Sequence, residues 1–211
     1  YLRIATEIYL KRAVVGGVDR VFEMNRNFRN EGMDSSHSPE FTSLEAYEAY
    51  SDYNGMAELT RDLIQQAARD AFDLSEGEEI VRLADGTEYD LSGQWDRIDL
   101  YGSTSEALGE EITVETPRET LVKYAERIGL EVDDYAVSGK IVEDIFEELV
   151  ASKLWAPTFV YDFPEDTSPL TRYHRSRPGL TEKWDLYVRG FETGTAYSEL
   201  ADPVVQRERF E

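Results

Sequence analysis

The 211-residue sequence predicts an α+β fold, with helices packed on an antiparallel sheet, and three features carry that expectation. Stretches of helical period and stretches of β-prone or alternating character are both present. Two neighbouring strand-like stretches are joined by a polar connection, as in a long hairpin. The regular strand–helix–strand alternation of a doubly wound sheet is missing.

In chain order, Thr6 can cap a helix running to about residue 12 or 15, which Gly16 and Gly17 can stop. Residues 21–30 and 41–50 suit strands, and the polar stretch 31–40 suits the loop between them. Residues 55–72 carry Met56, Leu59, Leu63, Ile64, Ala67 and Ala71 at helical spacing, with Arg61, Asp62, Arg69 and Asp70 left for water. Asp85-Gly86 within 83–91 is a hairpin signal. Helices are expected at 117–129, inward through Leu121, Tyr124, Ala125 and Ile128, and at 139–153, inward through Ile141, Ile145, Leu149 and Val150. Residues 158–163 read as a buried strand ended by Pro164, followed by a loop to about Thr181. Strand character returns at 184–198 around Arg189-Gly190, and 203–208 has a helical approach. No repeat or low-complexity tract interrupts this order.

A formal charge of −22 argues against broad electrostatic attraction to nucleic acid, so any RNA contact is expected to be local. Lacking cysteine, the chain has neither disulfides nor thiolate chemistry, which is compatible with a reducing cytosol. The longest apolar run is too short for a membrane span, and no membrane contact by this chain is expected. Position 1 is not methionine and the final helical stretch has no stop signal, which reads as part of a longer domain.

Two constellations carry chemistry. Side chains two apart on a strand share a face, so Asn25, Asn27 and Arg29 fall together and Phe22, Met24 and Phe28 fall opposite, one face polar and the other packed. On the returning strand Phe41, Ser43, Glu45 and Tyr47 share a side, with Leu44 and Ala46 behind. Such a face is either simply solvated or a binding surface. A guanidinium at a strand end suits a carboxylate or phosphate, and an aromatic ring can lie under a purine. The second constellation assumes a two-residue turn at Arg189-Gly190, which sets residue 187 opposite 192 with Asp185 one diagonal away. Asp185 and Glu192 are then either two exposed acids of an acidic chain or a pair able to share a divalent cation.

The run Phe28-Arg29-Asn30-Glu31-Gly32, then 37–42 (HSPEFT) and Glu45-Ala46-Tyr47, strongly resembles motif 2 of class II lysyl-tRNA synthetases, here at about 21–50. Residues 2–12 and 14–17 resemble the segment leading into that motif. Asp185-Leu186-Tyr187, Gly190-Phe191-Glu192, Tyr197-Ser198-Glu199-Leu200 and Asp202-Pro203 resemble the same family's metal- and lysine-binding stretch, and Ser168-Pro169-Leu170 matches a further signature. The resemblance covers 1–211 as the central part of the catalytic domain of a class II aminoacyl-tRNA synthetase. Motif 1, motif 3 and the OB anticodon-binding domain are expected outside this chain, which alone is expected to be inactive.

The resemblance implies roles. Arg29 is the catalytic residue, bridging the lysine carboxylate and the α-phosphate. Glu31 and His37 meet ATP, and Phe41 stacks on adenine. Glu7 holds the substrate α-amine, Glu45 and Tyr47 help form the lysine pocket, and Glu199 pairs with the ε-ammonium. Asp185 and Glu192 match the acids that bind Mg2+ beside ATP, and Thr195 stands at a lysine-binding position. Four positions depart from the usual family residue: Thr6 for Pro, Ser36 for Arg, Asp185 for Glu and Thr195 for Asn. The implied activity is lysine activation by ATP and transfer to tRNA(Lys), in the cytoplasm and by a homodimeric parent. The spelling at 34–39, 183–187 and 203–210 is similar to actinobacterial enzymes. A parent fused to a membrane-embedded lysyl-phosphatidylglycerol synthase is one alternative. A regulatory lysine-binding or protein-lysylating paralogue is another.

Overall fold

The computed structural model of the protein describes residues 1–33 and 37–211, so the Ser36 departure lies outside the described residues. The chain divides into two compact units, Tyr1–Ser51 and Asp52–Glu211.

In the first unit, helix α1 (Glu7–Val15) precedes strands β1 (Arg20–Phe28) and β2 (Glu40–Glu48). The two strands pair antiparallel over nine residues each, from Arg20 opposite Glu48 to Phe28 opposite Glu40, which is the predicted long hairpin. Thr6 occupies the cap position of α1 but its hydroxyl does not cap; Asn25 Nδ2 donates to Thr6 Oγ1 at 2.8 Å instead.

The predicted packing of the hairpin is inverted. Phe22 and Met24 are 72% and 70% exposed, whereas Asn25 and Asn27 are buried. Helix α1 packs against both strands and covers the Asn face. Ser43 bridges the two buried amides: Asn27 Nδ2 donates to Ser43 Oγ at 2.9 Å, and Ser43 Oγ donates to Asn25 Oδ1 at 3.0 Å, while Asn27 Oδ1 is buried without a hydrogen-bond partner.

The second unit opens with α2 (Tyr53–Phe72), capped by Asp52, whose carboxylate accepts from the N–H groups of Asn54 and Gly55. Its buried side runs through Tyr53, Ala57, Gln65 and Ala68, while the predicted core residues Leu59 and Leu63 are exposed. Gln65 explains the rotation: its amide nitrogen donates to the carbonyls of Leu91 and Gly93, pinning that side inward. Strands β3 (Ile80–Arg82) and β4 (Glu88–Asp90) form a small hairpin around Asp85-Gly86, with its first strand lying before the expected span 83–91. Asp85 Oδ1 accepts from Thr87 N, and this side-chain turn widens the loop.

The main sheet has the order β5-β6-β7-β8, built from β5 (Asp96–Asp99), β6 (Thr158–Tyr161), β7 (Lys183–Val188) and β8 (Phe191–Tyr197). Its last two pairings are antiparallel, as predicted, but β5 runs parallel to β6. The connection between that parallel pair carries α3 (Leu100–Leu108), α4 (Arg118–Arg127) and α5 (Ser138–Leu149), and both α3 and α4 pack on α5. Short β5 and the Ser/Thr-rich α3 carry weak period signals, and the sequence pattern does not reveal them.

Alternation along the strands splits the core into two layers. Val160 and Tyr187 face Leu121, Ile141, Ile145 and Phe146 of the helices; Phe159, Trp184 and Leu186 pack with Tyr53, Ala57 and Trp95. The β7–β8 turn is the predicted two-residue one, with Arg189 and Gly190 both at positive φ (55° and 79°). Helix α6 (Pro203–Phe210), capped by Asp202, closes the described chain. Among the described residues no helix is long and apolar enough to cross a membrane.

Candidate functional site

At the end of the hairpin ladder the Arg29 N–H donates to Pro39 O at 2.9 Å, holding the guanidinium-bearing residue just beyond Phe28. Arg29 Nε donates to Ile4 O at 3.2 Å, and its Cζ lies 5.1 Å from the centroid of the Phe41 ring. The cation and the ring assigned to phosphate and adenine are therefore neighbours, joined by a cation–π contact on an exposed surface. Glu31 and His37 lie in the exposed connection beyond the ladder.

Deeper along the same face, Glu45 Oε1 accepts the Thr6 N–H at 3.2 Å, a bond that a proline at position 6 could not supply. Tyr47 OH donates to Glu45 Oε2 at 3.4 Å. Glu7, the first residue of α1, receives Lys11 Nζ at 2.5 Å across one helical turn. Glu7 thus follows directly on the residue whose N–H bonds Glu45, and Phe41, Glu45 and Tyr47 lie on β2, with Arg29 just past the end of β1.

In the second unit, the register sets Tyr187 opposite Glu192 as predicted. A shift between Leu186 and Tyr187 then aligns Asp185 with Thr195, whose hydroxyl donates to Trp184 O at 3.2 Å. Asp185 is only 4% exposed. Its Oδ2 accepts Lys183 Nζ at 2.9 Å, and its Oδ1 is buried with no hydrogen-bond partner. Glu192 is exposed at the surface, yet the protein mass around its carboxyl, and then the Asp185 carboxylate near it, raise it to about 7 against the pull of Lys183. An unsatisfied buried carboxylate oxygen beside a second acid is a donor set that a hard divalent cation fits. Among the described residues no group of three or more acids or histidines is placed to hold a metal ion.

Sequence reading missed the surroundings of this pair. Lys183, Asp185 and Tyr187 share one strand face, so period 2 alone places the ammonium beside the acid. Opposite them α5 contributes Glu147, which accepts Tyr187 OH at 2.5 Å, and Glu143, which accepts Thr167 Oγ1 at 2.6 Å. Burial raises the Glu143 carboxyl above its usual range despite that bond. Lys183 Nζ also sits 3.8 Å from the Phe163 ring centroid.

Glu199 lies beyond the end of β8, where Thr171 pairs with it in an isolated antiparallel bridge. Around it Ser198 N donates to Glu182 O at 2.9 Å and Leu200 N to Leu170 O at 3.0 Å. Ser198 Oγ also accepts the Tyr53 N–H at 3.1 Å. Below this knot Glu182, fully buried, receives Arg175 Nε and Nη2 at 2.5 and 2.9 Å. A separate groove lined by Arg61, Gln65, Arg69 and Glu79 contains none of the predicted residues. Its arginines are already engaged, Arg61 with Asp62 and Gln94 and Arg69 with Glu79.

Comparison with known proteins sharpens this picture. Over its whole length the chain is 62% identical to a lysine–tRNA ligase of Kineococcus radiotolerans and 61% identical to one of Mycolicibacterium gilvum, covering 41% and 42% of those proteins. It is also 50% identical, over 99% of its length, to a lysylphosphatidylglycerol biosynthesis bifunctional protein of Gordonia bronchialis, of which it covers 18%. The chain spans about two-fifths of the length of the lysine–tRNA ligases it matches. Residues 1–211 match the family described as tRNA synthetases class II (D, K and N), and the chain belongs to that family.

Proposed function

We propose that the protein carrying this chain is a lysine–tRNA ligase and that the chain supplies the central part of its catalytic domain, with motif 1, motif 3 and an OB anticodon-binding domain contributed by the rest of the polypeptide. The observation that carries this reading is the identity of 61–62% with lysine–tRNA ligases along the entire chain, every assigned residue included in the aligned span. The 50% identity with the bifunctional protein favours a second reading, a synthetase part fused to lipid-modifying machinery. The higher identity with the free ligases favours the first. A homodimeric parent in the cytoplasm goes with it.

In this mechanism the lysine carboxylate attacks the α-phosphorus of ATP, forming the acyl–phosphate bond as the bond to pyrophosphate breaks. A tRNA(Lys) 3′-terminal hydroxyl then takes the lysyl group and AMP leaves. The attacking carboxylate is already ionised at neutral pH, so the first step needs no general base. Arg29 aligns that carboxylate with the α-phosphate and offsets the charge that accumulates between them. Phe41 offers its face to adenine, and Glu31 and His37 contact the nucleotide. Glu7 takes the α-ammonium, Glu45, Tyr47 and Thr195 line the lysine, and Glu199 supplies the fixed negative charge a sequestered ε-ammonium requires. Asp185 and Glu192 would hold Mg2+, which supplies charge neutralisation on the phosphates.

Lysine-dependent exchange of pyrophosphate into ATP by the full-length protein tests the reading. Exchange with lysine and not with aspartate or asparagine is expected. Lysine binding without exchange would leave a regulatory lysine-binding protein instead.

A further inference from the structure

The segment that pairs with Glu199 is itself held from α6. Arg209 Nη1 donates to Ser168 O at 2.9 Å and to Thr171 O at 2.7 Å, and the Arg209 guanidinium lies over the Tyr173 ring with Cζ 4.2 Å from its centroid. The two carbonyls bracket a turn closed by Thr171 N donating to Ser168 O at 3.2 Å. Thr171 then forms the bridge to Glu199, Arg172 N donates to Ser198 O at 2.8 Å, and Leu200 N donates to Leu170 O at 3.0 Å. Strand β8 ends at Tyr197; past that point Ser198 N still donates to Glu182 O at 2.9 Å, while Ser198 O, Glu199 and Leu200 N engage the 170–172 segment.

We propose that Arg209 is a positioning residue for lysine recognition: by tying the 168–171 turn to α6 and Tyr173, it fixes the strip of backbone that sets where the Glu199 carboxylate stands. The inference rests on the reading of Glu199 as the acid that receives the substrate ε-ammonium. The geometry suits arginine in particular. One nitrogen serves two carbonyls while the planar group stacks on an aromatic face, and an ammonium on a flexible stem cannot reproduce both contacts. Arg209 Nη2 is buried without a hydrogen-bond partner, so removal of the side chain costs the turn two acceptor contacts without freeing a satisfied donor elsewhere.

A charge pair misplaced by a fraction of an ångström weakens binding of the group it serves and leaves the other substrate alone. The test therefore separates lysine from ATP in pyrophosphate exchange by the full-length protein, using Arg209→Ala, Arg209→Lys and Glu199→Gln alongside the wild type. Arg209→Ala should raise KM for lysine roughly tenfold or more, with KM for ATP within about twofold, and Arg209→Lys should fall between it and the wild type. Calorimetric lysine binding should weaken in the same order. Equal rises in both KM values, or a fall in kcat alone, would make Arg209 a general structural residue and overturn the proposal. So would an unchanged lysine KM in Arg209→Ala when Glu199→Gln raises it. If Glu199→Gln itself leaves lysine binding intact while Arg209→Ala weakens it, the role given to Glu199 fails and the proposal falls with it. Should Arg209→Ala not fold, Arg209→Lys carries the test, and a lysine KM equal to wild type there overturns the proposal.

Discussion

Lys183 and Asp185 form a one-sided pair: the ammonium occupies Oδ2 at 2.9 Å while Oδ1 of the same carboxylate is buried with no partner. A buried carboxylate that leaves half its acceptor capacity unused is costly unless something else completes it. Asp185→Asn keeps the shape and removes the charge. It should weaken Mn2+ binding, read by paramagnetic resonance in the presence of ATP, by about tenfold or more. Unaltered binding would remove Asp185 from the metal site.

Arg29 and Phe41 are already in contact, so the cation assigned to the α-phosphate rests on the ring assigned to adenine. Adenine stacking on Phe41 requires Arg29 to share or vacate that face, and the carboxylate–phosphate pair offers it a stronger, bidentate partner. Arg29→Ala should lower lysine-dependent exchange by about 10²–10³-fold. Phe41→Ala should act mainly through KM for ATP. Exchange within a few-fold of normal in Arg29→Ala would refute its catalytic assignment.

Gly139 lies at the start of α5, where an added Cβ would clash with Asp166 Oδ1 and stand 2.6 Å from Pro164 Cγ. Asp166 can swing aside, but only by giving up the 3.0 Å bond its Oδ2 accepts from Gly139 N, and the proline ring cannot. Gly139→Ala should therefore destabilise the second unit by about 1–3 kcal/mol in a denaturant titration. An unchanged midpoint would mean that the close approach relaxes freely.

The hairpin of the first unit, the β7–β8 turn and the helix at 118–127 were legible because each combines a clean period with a local stop signal, whereas the helix at 138–149 has the period without a stop and its expected end at 153 overshoots. What escaped the sequence was the choice of face. Asn25 and Asn27 look like solvent residues and Phe22 and Met24 like core, yet a partner network through Thr6 and Ser43 buries the amides. Pattern reading assigns burial by polarity, and it fails where polar groups find most of their partners through tertiary contacts. The site followed the same division. Asp185, Glu192 and Glu199 could be named from motif spelling, and Lys183 follows from the strand period, whereas Glu143, Glu147 and Arg209 come near them through tertiary contacts that no short window contains.

Glu182 provides a prediction about stability as well as binding. Its carboxylate is fully buried, and the Arg175 hydrogen bonds, above all, hold its carboxyl down to about 2 from an ordinary 4.5, overriding the opposing effect of burial. Because the folded protein binds this proton less tightly than the unfolded chain, the pair's stabilisation is full above pH 4.5 and disappears as the pH falls towards 2. Wild-type protein should lose melting temperature across that window. Glu182→Gln should melt lower near neutral pH and lose less on acidification, because it has no carboxylate left to protonate. Glu182 also shares backbone bonds with Arg172 and Ser198, so the variant should in addition weaken lysine binding at neutral pH. Parallel melting curves for the two proteins from pH 7 to pH 2 would show that the Arg175–Glu182 pair contributes nothing to acid stability.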